Sequence, residues 1–322
     1  MIESSRKALL VLLFVILGLV LGCGQTPTTS AGPVSRYDKI PSGAVKITSE
    51  ADVSAPILHS SEFEEPIPIP GSVNSAGAED SPFILPDGNT LYLFFTPDVT
   101  VSAVGQLTDE VTGIYVSKKA GGLWGEPERV VLQDVGKLAL DGAEFVQGDT
   151  MWFASAREGY TGINFFTAEY AGGKWQNWQY AGDRLNVDYH IGEMTLSPTG
   201  EILYFHSNRS GGQGGLDIWL TRRSGSDWLT PECVPTVNSA GDESRPFVTP
   251  DGQELWFTRT YQGTPAVYRS KMSGGTWGVP ELIVSQFAGE PTLDSAGNLY
   301  FVHHFYNSNV MIEADIYVAY KK

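Results

Sequence analysis

Five glutamates recur through the chain at intervals that could bring them to one place: Glu79, Glu144, Glu193, Glu243 and Glu290. Each stands near the start of a short apolar segment. In four of the five segments a basic side chain or histidine follows downstream, at Arg157, Arg209, Arg259 and His304. Carboxylates beside guanidinium groups form ion pairs, and a carboxyl left without a cation can hold a proton for acid catalysis. Repetition in nearly every unit favours ion pairing within each unit over catalysis, because a reaction centre needs asymmetry. Asp217 and Asp315 are expected to join Arg209 and His304 in such pairs.

Departures from the repeat are therefore the better functional clues. The first unit lacks the arginine, and its longer loop, 97–112, carries Asp98, Asp109 and Glu110. The third unit enters through Asp188-Tyr189-His190, and the fifth offers His303, His304, Phe305 and Tyr306. Tyr189, His190 and Tyr306, beside carboxylates, suit stacking on a sugar or anchoring a protein partner. The histidines do not fall at zinc spacing, and no Asp-x-Asp-x-Asp-Gly loop is present. No metal or other cofactor is expected, and a Ca2+ ion at an acidic mouth has no sequence support. Nor is there a Gly-x-Ser-x-Gly elbow, a phosphate loop or a dinucleotide fingerprint.

The elements that must position these residues are written as a repeat of roughly fifty residues. A hydrophobic-aromatic-Phe strand recurs at Leu91-Tyr92-Leu93-Phe94, Met151-Trp152-Phe153, Leu203-Tyr204-Phe205, Leu255-Trp256-Phe257 and Leu299-Tyr300-Phe301. A second strand follows, then a glycine turn and a tryptophan: Trp124, Trp175, Trp228 and Trp277. Tight hairpins such as Pro86-Asp87-Gly88 and Pro250-Asp251-Gly252 precede the aromatic strands. Four short antiparallel strands per copy predict an all-β, five-bladed β-propeller. The fifth copy lacks its outer strand. The segment from Phe63 to Ile69 resembles the stretch after each tryptophan, so it should complete the last blade and close the ring. The expected blades are 79–131, 144–183, 193–235, 243–285, and 290–322 with 63–70, within a domain of 56–322. No helical periodicity is evident beyond the N-terminus.

The stretch Leu196-Ser197-Pro198-Thr199-Gly200, with Leu203-Tyr204-Phe205-His206-Ser207-Asn208-Arg209 and Gly215-Leu216-Asp217-Ile218-Trp219, resembles the TolB-type, WD-like propeller repeat of bacterial envelope proteins. The echo of Val73-Asn74-Ser75-Ala76-Gly77-Ala78-Glu79 in Val237-Asn238-Ser239-Ala240-Gly241-Asp242-Glu243 fits the same family. The resemblance implies a propeller that binds other molecules, and says little about which. Five-bladed propellers also occur in arabinanase-like glycoside hydrolases. That alternative would make Glu193, Glu243 and Glu290 the catalytic candidates.

Charge and N-terminus bound the setting. The 322 residues carry a formal net charge of -16, which disfavours nucleic acid as a partner. Arg6 and Lys7 precede an apolar run from Ala8 to Leu21, too short to span a bilayer comfortably. Val20-Leu21-Gly22-Cys23 resembles a lipobox, so residues 1–22 are expected to be a signal peptide and Cys23 the lipidation site. The Thr-, Ser-, Pro- and Gly-rich stretch 23–55 reads as a flexible tether. The expectation is a monomeric lipoprotein held outside the cytoplasm by a lipid anchor in a membrane. Its expected partner is a protein or polysaccharide of the cell envelope. Cys233 is then unpaired and reads as an inert thiol.

Overall fold

The computed structural model describes residues 34–322 except 190 and 309. The expected signal segment, Cys23 and His190 therefore lie outside the described residues. The described chain is all-β, with hardly any helix, and its strands form several sheets, paired antiparallel except at the bridges Ala314–Ala78 and Gly71–Trp124.

Each repeat copy makes one sheet of an inner, an aromatic and a third strand. The first comprises Ala78–Ile84, Thr90–Thr96 and Gly113–Ala120, flanked by the short Glu128–Arg129. The second comprises Ala139–Gln147, Thr150–Arg157, Asn164–Ala171 and Lys174–Tyr180. The third comprises Met194–Leu196, Ile202–Ser207, Asp217–Ser224 and Glu232–Cys233. The fourth comprises Glu243–Val248, Glu254–Tyr261, Thr264–Ser273 and Glu281–Ser285. The fifth comprises Ala288–Leu293, Leu299–Asn307 and Val310–Ala319. Its outer strand is Ile67–Pro68, with Ile67 opposite Val318. The inner strands of the second and fifth sheets thus begin at Ala139 and Ala288, ahead of the expected starts at 144 and 290. One short helix, Ala103–Thr108, interrupts the loop after the first aromatic strand, where the sequence showed no helical period.

The hairpins form as their residues dictate. Gly88 and Gly252 take φ of 67° and 71°, which a side chain would resist. Asp87 Oδ1 accepts from the amides of Asn89 and Thr90 and pins the first turn.

Successive sheets lock through one recurring contact. The tryptophan of a sheet stands edge-on against the aromatic residue of the sheet before it. Trp175 meets Tyr92 with centroids 6.2 Å apart, Trp277 meets Tyr204 at 6.0 Å, and Trp124 meets Tyr300 at 6.2 Å. Phe63 takes the tryptophan place of the fifth sheet and meets Trp256 at 6.1 Å. Phe63 also bridges to Lys321 at the end of the chain. The inner strands follow the same order. Each touches the next, and Ala288–Leu293 touches Ala78–Ile84.

Residues 34–55 depart from the expected tether. Arg36 is 4% exposed and sits inside the first sheet. Lys46 ion-pairs with Glu313 and Asp315. Asp52 meets the buried His303 at 2.9 Å. Ile57–Leu58 then adds a strand to the fourth sheet. The composition is that of a linker, but charges spaced along it find buried partners on the sheets.

Arg36 explains the arginine missing from the first unit. It donates to Glu79 at 2.7 Å and to the Val73 carbonyl at 2.9 Å. Arg259 makes the matching pair in the fourth sheet, to Glu243 at 2.7 Å and the Val237 carbonyl at 2.6 Å. A segment 43 residues upstream of Glu79 thus supplies the guanidinium that the repeat lacks. Removing one partner of so buried a pair strands the other charge, at a cost of about 3–5 kcal/mol. Arg36→Ala should lower unfolding stability by that order in urea titrations. Arg36→Ala combined with Glu79→Gln should recover a substantial part, whereas an unchanged midpoint for Arg36→Ala would show the segment is not structural.

Candidate functional site

A β-bulge in the inner strands decides which side chains face the centre. Pairing slips between Asp80 and Phe83, Gly142 and Phe145, Ser244 and Phe247, and Gly289 and Thr292. At the slip Ser81, Ala143, Arg245 and Glu290 adopt φ of 47°, 51°, 53° and 57°. Side-chain-bearing residues rarely occupy that left-handed region. Glu193 is the counterpart in the third sheet, two residues before Thr195, which pairs with Tyr204. All five line one central cavity of about 60 Å³. Phe83, Phe145, Thr195, Phe247 and Thr292, two residues further on, line it as well.

The five glutamates of the sequence are therefore not equivalent, which corrects the expectation of one ion pair repeated within each unit. Glu79 and Glu243 lie two residues before the slip, fully buried in their own sheets. Glu290 occupies the slip itself, and Glu193 the equivalent position of the third sheet. Glu144 lies one residue after it, where three other sheets have Pro82, Pro246 and Pro291. Arg157 pairs with Asp141 at 2.9 Å rather than with Glu144. Arg209 donates to the carbonyls of Asp188 and Tyr189, not to Glu193 or Asp217. Tyr189 is 3% exposed, and its hydroxyl donates to the carbonyls of Trp228 and Leu229. These groups fasten loops. Asp98 and Asp109 likewise accept amides of their own loop, from Thr100 and from Val111 and Thr112.

What remains at the centre is asymmetric. Arg245 is shared between two sheets' acids, with Nε 3.1 Å from Glu193 and in contact with Glu290 Oε1. The Ser81 amide donates to Glu290 Oε2 at 2.8 Å. Asp80 Oδ1 lies 3.6 Å from His304 Nε2. His206 Nδ1 accepts from the Arg245 amide at 3.3 Å, so that nitrogen carries no proton. Gly192 makes room for this imidazole, since a Cβ there would lie 1.9 Å from His206 Nε2. Tyr306 lies against Phe287, centroids 4.7 Å apart. Asp80, His206 and Arg245 were not singled out from the sequence. Aligning the copies on the prolines after the slip would have set Arg245 opposite Glu290.

Electrostatics separates these acids. Burial pushes Glu144 up to about 8, with Asp80 and Glu193 adding to the shift. Burial raises Glu290 well above the usual range and Glu193 above it, although Arg245 opposes both shifts. For Asp80, burial works upward, but His304, Glu290 and Arg245 outweigh it and hold the acid low. Burial and Arg245 press His206 down to about 3, so it is neutral. Cys233 is half-buried, and burial raises its thiol, as befits an inert cysteine.

No family model matches the chain, and no curated protein matches it. Among solved structures it is similar to TolB from Acinetobacter baumannii, at 13% identity and a TM-score of 0.44, over 77% of this chain and 55% of that one. It is also similar to an endo-arabinase from Bacteroides thetaiotaomicron, at 15% identity and a TM-score of 0.49, over 79% of this chain and 98% of that one. A third is the catalytic domain of an α-L-arabinofuranosidase from Coprinopsis cinerea, at 10% identity and a TM-score of 0.47, over 80% and 95%. The chain thus spans about half the length of the Acinetobacter TolB. The structures it resembles include both TolB-type propellers and glycoside hydrolases.

A folded-state carboxyl raised from 4.5 to about 8 binds its proton more tightly than the unfolded chain does. Its stabilising contribution is complete below the unfolded value and is lost as pH rises through 8. In chelator-containing buffer, Glu144→Gln should leave the melting temperature near wild type at pH 5 and raise it by several degrees at pH 9. An equal offset at both pH values would show that Glu144 does not titrate this way.

Proposed function

We propose that the chain is an extracytoplasmic, membrane-anchored binding or scaffolding protein, built as a closed five-bladed propeller of TolB type. Its funnel would face a glycan or another protein of the cell envelope. The pairing of Ile67–Pro68 with Val310–Ala319, and the contact of the fifth inner strand with the first, support closure. The lipobox at Cys23 supports the anchor.

One observation carries the choice of binder over hydrolase. The three acids expected to catalyse all hold a cation: Glu243 has Arg259, and Glu193 and Glu290 share Arg245. Glu193 and Glu290 line the central cavity of about 60 Å³ together with Arg245. A ligand would rest above it, on Arg245, Tyr306 and their neighbours.

The hydrolase reading keeps one support. Glu144 has no cationic partner and is raised to about 8, while Asp80 is held low. Opposite shifts in one cluster are the signature of an acid and a base.

Glycan arrays and envelope pull-downs with the purified domain separate the two. A binder should retain a glycan or an envelope protein, and Arg245→Gln should weaken retention at least tenfold with the fold intact. Sugar released from arabinan by the wild type, and lost in Glu144→Gln, would transfer the site to the hydrolase reading.

A further inference from the structure

We propose that Asp80, Glu290 and His304 form a binding site for a divalent transition-metal ion at the floor of the funnel. This goes beyond the reading of the funnel as a ligand surface and does not depend on it. One donor atom from each of the three residues falls within 4.8 Å of the other two, and no other such cluster occurs among the described residues. The spacing is informative. His304 Nε2 and Asp80 Oδ1 are 3.6 Å apart, too long for a hydrogen bond. Two ligands on one tetrahedral ion, at bonds of about 2.0–2.2 Å, stand roughly 3.4 Å apart.

Charge gives an independent argument. Glu144, Glu193 and Glu290 line the cavity with a single arginine, Arg245, which pairs with the last two and whose charge also acts on Asp80. Glu144 is 5% exposed, lines the cavity, and neither of its oxygens has a hydrogen-bond partner among the described residues. The buried hydroxyls of Thr195 and Thr292 line the same cavity and are likewise without partners. Carboxylates in such excess require protons or a cation, and a buried polar group without a partner requires one. An ion held by Asp80, Glu290 and His304 supplies the charge. Glu290 belongs both to this cluster and to the cavity lining, so waters completing the ion's shell would reach the cavity and offer partners to Glu144, Thr195 and Thr292.

The donor set selects the ion. Ca2+ and Mg2+ take oxygen ligands, whereas an imidazole nitrogen with two carboxylates suits Zn2+ or Mn2+. Glu290 can serve beside its ion pair with Arg245, because the Ser81 amide takes one lone pair and a carboxylate offers about four.

Calorimetric titration of chelator-stripped, untagged protein tests the site. Zn2+ or Mn2+ should bind at one equivalent, more tightly than Ca2+, and Co2+ should give a visible absorption band. His304→Ala should weaken binding at least tenfold. Asp80→Asn is a second variant, with circular dichroism to show that each remains folded. Absence of saturable binding, affinity unchanged in both variants, or Ca2+ binding tighter than Zn2+ would each overturn the assignment.

Discussion

The edge-on contact between a tryptophan and the aromatic residue of the preceding sheet sets everything else. It recurs at Trp175 on Tyr92, Trp277 on Tyr204, Trp124 on Tyr300 and Phe63 on Trp256, within a narrow span of centroid distances. Aromatic pairs favour this geometry over stacking and add to the area they bury. At four junctions this contact fixes a sheet against the one before it, and the five inner strands touch one another in order. Phe63 precedes the first copy and serves the fifth, so a segment ahead of the first sheet pairs with the last strand.

Given that frame, the bulge decides chemistry. In four sheets a slip in strand pairing turns one residue inward at the cost of a left-handed backbone, and Glu193 takes the same place in the third sheet without either. The residues so presented are Ser81, Ala143, Glu193, Arg245 and Glu290, and they share no common type. Two residues earlier three of the sheets place the groups that bind them together, Glu79 with Arg36, Asp141 with Arg157 and Glu243 with Arg259. Symmetry thus belongs to the scaffold and asymmetry to the centre. Acids of identical type, near one another in each copy, serve one purpose or the other according to a shift of two positions.

This division marks how far the sequence could be read. Strand order, hairpins, tryptophan turns and the role of Phe63 follow from periodic residue types, because each reflects a local or nearest-neighbour preference. The Glu243–Arg259 pair follows too, since both lie in one hairpin. The bulge has no such signature, and without it Glu79 and Glu290 look alike. Arg245 reads as an ordinary strand residue. Arg36 sits in a stretch with linker composition, and only its distant partner gives it meaning. Hence the expectation of a loose tether over 34–55 failed where single charges, rather than patterns, hold the chain down.

Four neighbouring acids at the centre are driven apart in proton affinity by burial and by Arg245 and His304. Carboxyl-carbon NMR titration of isotopically labelled, metal-free protein reads this directly. Glu144 and Glu290 should titrate well above 4.5, with Asp80 remaining ionised below 3.8. Four acids titrating together in the ordinary range near 4 would contradict the account and return the centre to an open, solvated surface.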